Sequence, residues 1–178
     1  TVSYKLEDEM RKCIVLVFLS MLICMTMSNC STQKRRNVPA NEYFIYGKLM
    51  NVPDSVVISL CKSDGNIIKL LSNDTLINGE FSFSDTVSGT QKLMLISKNK
   101  GFPGTWLNVW IAPGKYIEIS GQDKLLKTWT IESDIPEQLE ENRFMACTIK
   151  QQKELMQHLA AINDWQRMIL IDHPGDEE

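Results

Sequence analysis

The residue types able to do chemistry fall in four places along this chain. Cys30 stands directly after an apolar run and before a polar one (STQKRRN), the setting of a lipoprotein processing site; there the cysteine would carry lipid and become the mature N-terminus. Trp106, Asn108 and Trp110 alternate, so on a strand they share one face while Leu107, Val109 and Ile111 share the other. Two indoles flanking an amide can stack a sugar or dock a partner; the alternative is a strand covered on both faces, with the tryptophans beneath a helix. Cys61 and Cys147 are the thiols left once Cys13 and Cys24 go with a leader; they either pair in an oxidising compartment or stay separate. Glu154 and His158 are four apart, a spacing two metal ligands can use on one helix face and an ordinary solvated pair uses more commonly.

Several function classes are excluded by what surrounds these residues. The net charge of −3 argues against a nucleic-acid binder, which presents a basic face. The one basic cluster, Lys34-Arg35-Arg36, follows Cys30 closely and suits a solvated tether or contact with anionic headgroups. No Gly-x-Ser-x-Gly and no Cys-x-x-Cys occurs, and the two histidines, His158 and His173, both lie near the C-terminus. Asp64, Asp74, Asp85 and Asp123 sit where turns need them, and Asp64-Gly65-Asn66 alone does not make a calcium loop. No catalytic residue, cofactor or metal site is therefore expected.

The elements that must position these residues are legible in order. Arg11 and Lys12 give a positive start, about a dozen mostly apolar residues follow, and Met27-Ser28-Asn29 leads to Cys30, so residues 10–29 read as a lipoprotein signal peptide. Residues 1–9, acidic where a signal needs positive charge, read as a non-native upstream segment. Asn29 is unusual before a lipidated cysteine, which leaves an ordinary signal or an uncleaved anchor as the alternative; the apolar core is shorter than the roughly 20 residues a crossing takes. In each case residues 31–178 are expected outside the cytoplasm; the lipidated reading places them in the cell envelope, facing the periplasm, anchored by lipid in the inner or outer membrane.

Residues 30–42 read as a tether and residues 43–132 as a β domain. Runs such as Tyr43–Met50, Ser55–Lys62 and Glu80–Val87 are β-branched, aromatic or alternating, and Asp64-Gly65, Asn78-Gly79 and Pro113-Gly114 punctuate them. Ile67–Leu71 and Asp74–Ile77 are weaker strand signals, Lys92–Lys98 is apolar on both faces, and Thr105–Ala112, Lys115–Gly121 and Lys127–Ile131 complete the set. The fold class is mainly β: an antiparallel β-sandwich or partly open barrel of about eight strands, followed by a long C-terminal α-helix. Residues 133–172 form that helical linker, opened by Asp134, Pro136 and Glu137, and residues 173–178 are a tail. Leu155, Leu159, Ile162 and Ile169 fall on one stripe with Trp165 beside it. The stripe must either pack on the sandwich, with Trp106 and Trp110 as its floor, or meet something outside this chain.

Three landmarks in this order, Phe44-Ile45-Tyr46-Gly47, Asn78-Gly79-Glu80-Phe81-Ser82-Phe83 and Ile111-Ala112-Pro113-Gly114, resemble those of an uncharacterised β domain. That domain precedes the thioredoxin-like domain of TlpA-like lipoproteins in Gram-negative anaerobes. Ser133-Asp134-Ile135-Pro136-Glu137-Gln138 is similar to the entry of the helical linker there. The resemblance spans about residues 43–170, and Asn78 stands where the family often has Asp. It implies a membrane-tethered accessory module with a periplasmic protein or a thioredoxin-like domain as partner. The chain reaches Glu178 without a Cys-x-x-Cys, so the family's redox activity is carried by no residue here. A non-catalytic, partner-binding lipoprotein truncated before its redox domain is the leading expectation. Thiol exchange with a separate thioredoxin through Cys61 or Cys147, and glycan binding by Trp106 and Trp110, are the alternatives.

Overall fold

A computed structural model describes residues 37–172 with the exception of Asn66, and for residues 170–172 the backbone alone. The leader with Cys30, most of the expected tether and the tail lie outside the described residues. Among the described residues, eight strands are followed by one long helix. The strands are β1 (Glu42–Leu49), β2 (Val57–Asp64), β3 (Ile67–Thr75), β4 (Glu80–Thr86), β5 (Gln91–Ile96), β6 (Leu107–Ile111), β7 (Lys115–Gly121) and β8 (Thr130–Glu132), and the helix is α1 (Pro136–Asp172). Two four-stranded sheets result, ordered β4-β1-β7-β8 and β3-β2-β5-β6. Neither closes on itself, so the architecture is sandwich-like. Neighbouring strands are antiparallel except β1 and β7, which run parallel; between them the chain enters the second sheet twice, as β2-β3 and as β5-β6.

Alternation sorts the side chains. Tyr43, Ile45 and Leu49 of β1, Phe81 and Phe83 of β4, and Ile117 and Ile119 of β7 turn inward from one sheet. Ile58 and Leu60, Leu93 and Leu95, and Leu107, Val109 and Ile111 meet them from the other. Each buried aliphatic or aromatic side chain stabilises the fold by about 1.5–3 kcal/mol relative to exposure. Phe81 packs against Phe83 at 5.9 Å and Trp129 at 6.4 Å, and Phe102 meets Trp129 edge-on at 6.5 Å. The Phe81 ring lies across β1 at Gly47, where a Cβ would stand 2.0 Å from the ring. Only glycine admits that crossing. At Asn78-Gly79 both residues have positive φ (55° and 72°), the geometry of a two-residue hairpin turn. Ile67–Leu71 and Asp74–Ile77, read from sequence as separate weak strands, are largely one strand, β3, with a bulge opposite Leu60/Cys61.

Helix α1 closes the open side of the sandwich, and it does so with polar groups. The Trp110 N–H on edge strand β6 donates to Gln138 Oε1 at 2.9 Å, and Gln138 Nε2 donates to Asn142 Oδ1 at 2.9 Å. Asn142 Nδ2 then donates to the Ile131 carbonyl on edge strand β8 at 2.7 Å. Two helical amides thus connect the free edges of both sheets. Farther along, Asn163 Nδ2 donates to the Phe102 carbonyl at 2.9 Å, Asp164 Oδ1 accepts the Gly101 N–H at 2.9 Å, and Arg167 donates to the Lys98 carbonyl. Met156 is the helix's fully buried apolar residue.

The apolar stripe expected to lie over Trp106 and Trp110 does not. Leu155 (47 %), Ile162 (50 %), Trp165 (60 %) and Ile169 (41 %) are exposed. The cause is hydrogen bonding: a helix beside two strand edges must supply donors and acceptors to backbone groups that would otherwise be buried unpaired. Trp110 is instead met by the helix's first turns, around Gln138 and Glu141.

Candidate binding surface

The cross-strand register brings the residues singled out from sequence onto one surface. On β6, Asn108 lies opposite Met94 and Trp110 opposite Lys92 of β5. Met94 lies opposite Cys61 of β2, and Cys61 opposite Leu70 of β3. Since Ile58, Leu60, Leu93 and Leu95 fill the core, the alternate residues form the outer face of the β3-β2-β5-β6 sheet. An antiparallel sheet's solvent face is ordinarily polar. This one carries Val57, Cys61, Ile68, Leu70, Met94 and Ile96, of which Cys61 and Met94 are buried by their neighbours, with Trp106 just before β6.

Its β6 end is held by the helix. Glu141 accepts from Asn108 Nδ2 at 2.7 Å with one oxygen and from Trp110 Nε1 at 2.8 Å with the other. Lys92 Nζ sits 5.5 Å from the centre of the Trp110 ring, a cation–π contact that also occupies part of that ring. Trp106 is 42 % exposed. Of the three residues expected to form a binding face, Asn108 and Trp110 therefore share a carboxylate, and Trp106 presents the accessible ring. Glu141 was missed in the sequence because one glutamate among several on a charged helix gives no signal without the register that places Asn108 and Trp110 beside it.

The β3 side is open. A groove of about 450 Å³ runs between β3, β2 and β5, lined by Val57, Cys61, Ile68, Leu70, Ile96 and Lys98, among others. Cys61 is buried at its floor; burial pushes its thiol above the usual value, with Lys98 acting in the opposite sense. Cys147 is an exposed thiol on the helix, so the two cysteines stand apart rather than paired. A smaller cavity of about 150 Å³ lies under the first turns of α1, where Gln152 Oε1 is buried without a protein donor.

The four sheet edges differ in a way that matters chemically. On β4, the Ser82 N–H donates to Asp74 Oδ2 at 2.7 Å. On β6, Gln138 takes the Trp110 N–H, and on β8, Asn142 bonds the Ile131 carbonyl. Along Ile67–Asn73 of β3, no comparable covering bond forms among the described residues. The same stretch exposes Ile67 (71 %), Ile68 (50 %), Leu70 (52 %) and Leu71 (43 %). An uncovered strand edge flanked by apolar side chains is a template for another strand. Its chemistry is adhesion: backbone hydrogen bonds along the edge and apolar burial beside it.

Among the described residues no group of three or more His, Cys, Asp or Glu side chains could hold a metal ion, and no helix is long and apolar enough to cross a membrane. No protein-family model, curated protein or solved structure matches this chain.

Proposed function

We propose that this chain is a non-catalytic docking module of the cell envelope. It is tethered to the membrane through lipid on Cys30, faces the periplasm, and holds an extended segment of a partner protein against β3 and the adjoining groove. The resemblance to the β domain of TlpA-like lipoproteins makes a thioredoxin-like domain or another periplasmic protein the partner of choice, and gives this chain the accessory part in thiol–disulfide exchange.

What supports the docking role is the contrast between edges: side chains from elsewhere in the fold bond to β4, β6 and β8, whereas among the described residues Ile67–Asn73 of β3 takes no such bond and exposes four aliphatic residues. Exposing such a strand invites aggregation unless something adds to it, so its retention is explained by a partner. The test is Ile68→Lys/Leu70→Lys in the full chain. Both side chains are about half exposed, so the melting temperature is expected to stay within a degree or two. The chain extracted from membranes under mild conditions is expected to migrate in a larger complex on a native gel, and the variant to migrate without it. Equal migration of the two would remove β3 as the docking element.

A further inference from the structure

A second surface on this molecule is apolar for no reason the sandwich supplies. Phe144, Thr148, Gln151, Leu155, His158, Ile162, Trp165 and Ile169 follow one another at spacings of four and three residues along α1. That alternation is the seam of a helix meant to lie along another helix, because a 3.5-residue repeat keeps one line facing a partner. At 100° per residue the seam is turned roughly 115° away from the face of Gln138, Gln152, Met156 and Asn163 that meets the sandwich, and at its N-terminal end Phe144 also borders the cavity beneath α1. No Lys, Arg, Asp or Glu lies on it, although α1 carries many charges elsewhere. A helix face built for solvent would be charged.

The occupant can be chosen by size and by fit. Phe144 (64 %), Leu155 (47 %), Ile162 (50 %), Trp165 (60 %) and Ile169 (41 %) together expose roughly 500 Å² of apolar side chain, taking about 200 Å² as a full side-chain area. Gln151 and His158 are exposed and Thr148 half-buried between them, so the strip supplies most of the roughly 800 Å² that one partner contributes to a standard interface. It is roughly 38 Å long, the length of 25 helical residues. A second copy laid antiparallel about a point between Leu155 and His158 sets Phe144 against Ile169, Thr148 against Trp165, Gln151 against Ile162 and Leu155 against His158. Trp165 and Ile162 then meet the smaller or more adaptable Thr148 and Gln151, and Ile169 meets the exposed Phe144, in a closed two-fold contact. Parallel pairing would instead stack Trp165 on Trp165 and His158 on His158. We infer that α1 pairs with α1 of a second copy in antiparallel two-fold fashion, so that the protein is a dimer whose β3 edges remain free.

The experiment uses the full chain in mild detergent. Sedimentation equilibrium is expected to give a dimer for the wild type and a monomer for Ile162→Glu/Trp165→Glu, with at least a hundredfold weaker association. The melting temperature is expected to hold, since neither side chain is buried; should it fall, Ile162→Gln/Trp165→Gln replaces the pair, with loss of the dimer again expected. Register is read by mild oxidation in a Cys147→Ser background. Gln151→Cys/Ile162→Cys is expected to form a covalent dimer that neither single variant forms. A monomeric wild type, a dimer that survives both paired variants, or single variants that cross-link as readily as the double one would each overturn the inference.

Discussion

Gln138 is the residue whose loss should reveal how the sandwich is closed. It is fully buried, its Oε1 accepts the Trp110 N–H at 2.9 Å, and its Nε2 donates to Asn142 Oδ1 at 2.9 Å. Gln138→Ala leaves the Trp110 N–H on the β6 edge without its acceptor, which costs about 1–3 kcal/mol when no water can reach it. It also removes the bond that orients Asn142 toward the Ile131 carbonyl, a further loss of about 1 kcal/mol. The sum is about 2–4 kcal/mol. In a domain of this size each kcal/mol moves the melting temperature by about 3–4 °C, so a drop of roughly 10 °C is expected. Thermal unfolding followed by circular dichroism measures the drop, and backbone hydrogen exchange locates it: the Trp110 amide should exchange faster while Leu93 and Leu95 in the middle of the sheet keep their protection. Gln157→Ala, at an exposed position of the same helix, is the reference and should change stability by less than about 0.5 kcal/mol. If Gln138→Ala behaves like Gln157→Ala, or if the Trp110 amide exchanges at its original rate, the helix does not cover the β6 edge as described.

Four further outcomes are expected. Gly47→Ala places a methyl 2.0 Å from the Phe81 ring and should destabilise by several kcal/mol, with part of the loss restored by Phe81→Leu; equal melting temperatures for Gly47→Ala alone and for the pair would refute the steric cause. Cys61 and Tyr43 both hold their protons more tightly when folded, mainly through burial, with Asp85 adding to the effect at Tyr43. The unfolded chain therefore ionises first. This contribution is intact below the thiol's ordinary value of 9.0 and is lost as the pH rises past it, so the urea midpoint at about pH 10 should lie below that at pH 7, and less so in Cys61→Val. In the native state Cys147 should react with a maleimide well before Cys61, and rapid labelling of Cys61 would reopen a role for it in thiol exchange. Metabolic palmitate labelling should mark the chain and vanish in Cys30→Ser; labelling that persists would move the anchor elsewhere.

The fold was largely readable because two-residue alternation reports directly on burial. Phe81 and Phe83 against Ser82 and Ser84, and Leu107, Val109 and Ile111 against Asn108 and Trp110, fall on the faces their spacing requires. The turns at Asp64-Gly65, Asn78-Gly79 and Pro113-Gly114 were equally plain, since their glycines adopt positive φ. The orientation of α1 was not readable from its apolar stripe. Apolar periodicity detects hydrophobic burial, whereas this helix is seated through Gln138, Asn142, Asn163 and Asp164, which complete the hydrogen bonding of strand edges and a loop. The amides among them, Gln138, Asn142 and Asn163, with Met145, Gln152 and Met156 between them, form their own row at heptad-like spacing; that row was the available signal. The open edge of β3 was hidden for a different reason. Ile67, Ile68, Leu70 and Leu71 look like core residues, and only the strand order shows that they stand at a margin.

The docking role of that margin is tested most directly by a photo-reactive amino acid at Leu70 in the full chain, in its own membrane, with the same residue at Ser84 on the opposite sheet as the control. Leu70 lies on the uncovered strand beside the groove, and Ser84 is an exposed position on β4. The expected result is one discrete protein adduct from Leu70 that disappears when Ile68→Lys is added, and none from Ser84. No adduct at Leu70, or the same adducts from both positions, would contradict the docking function.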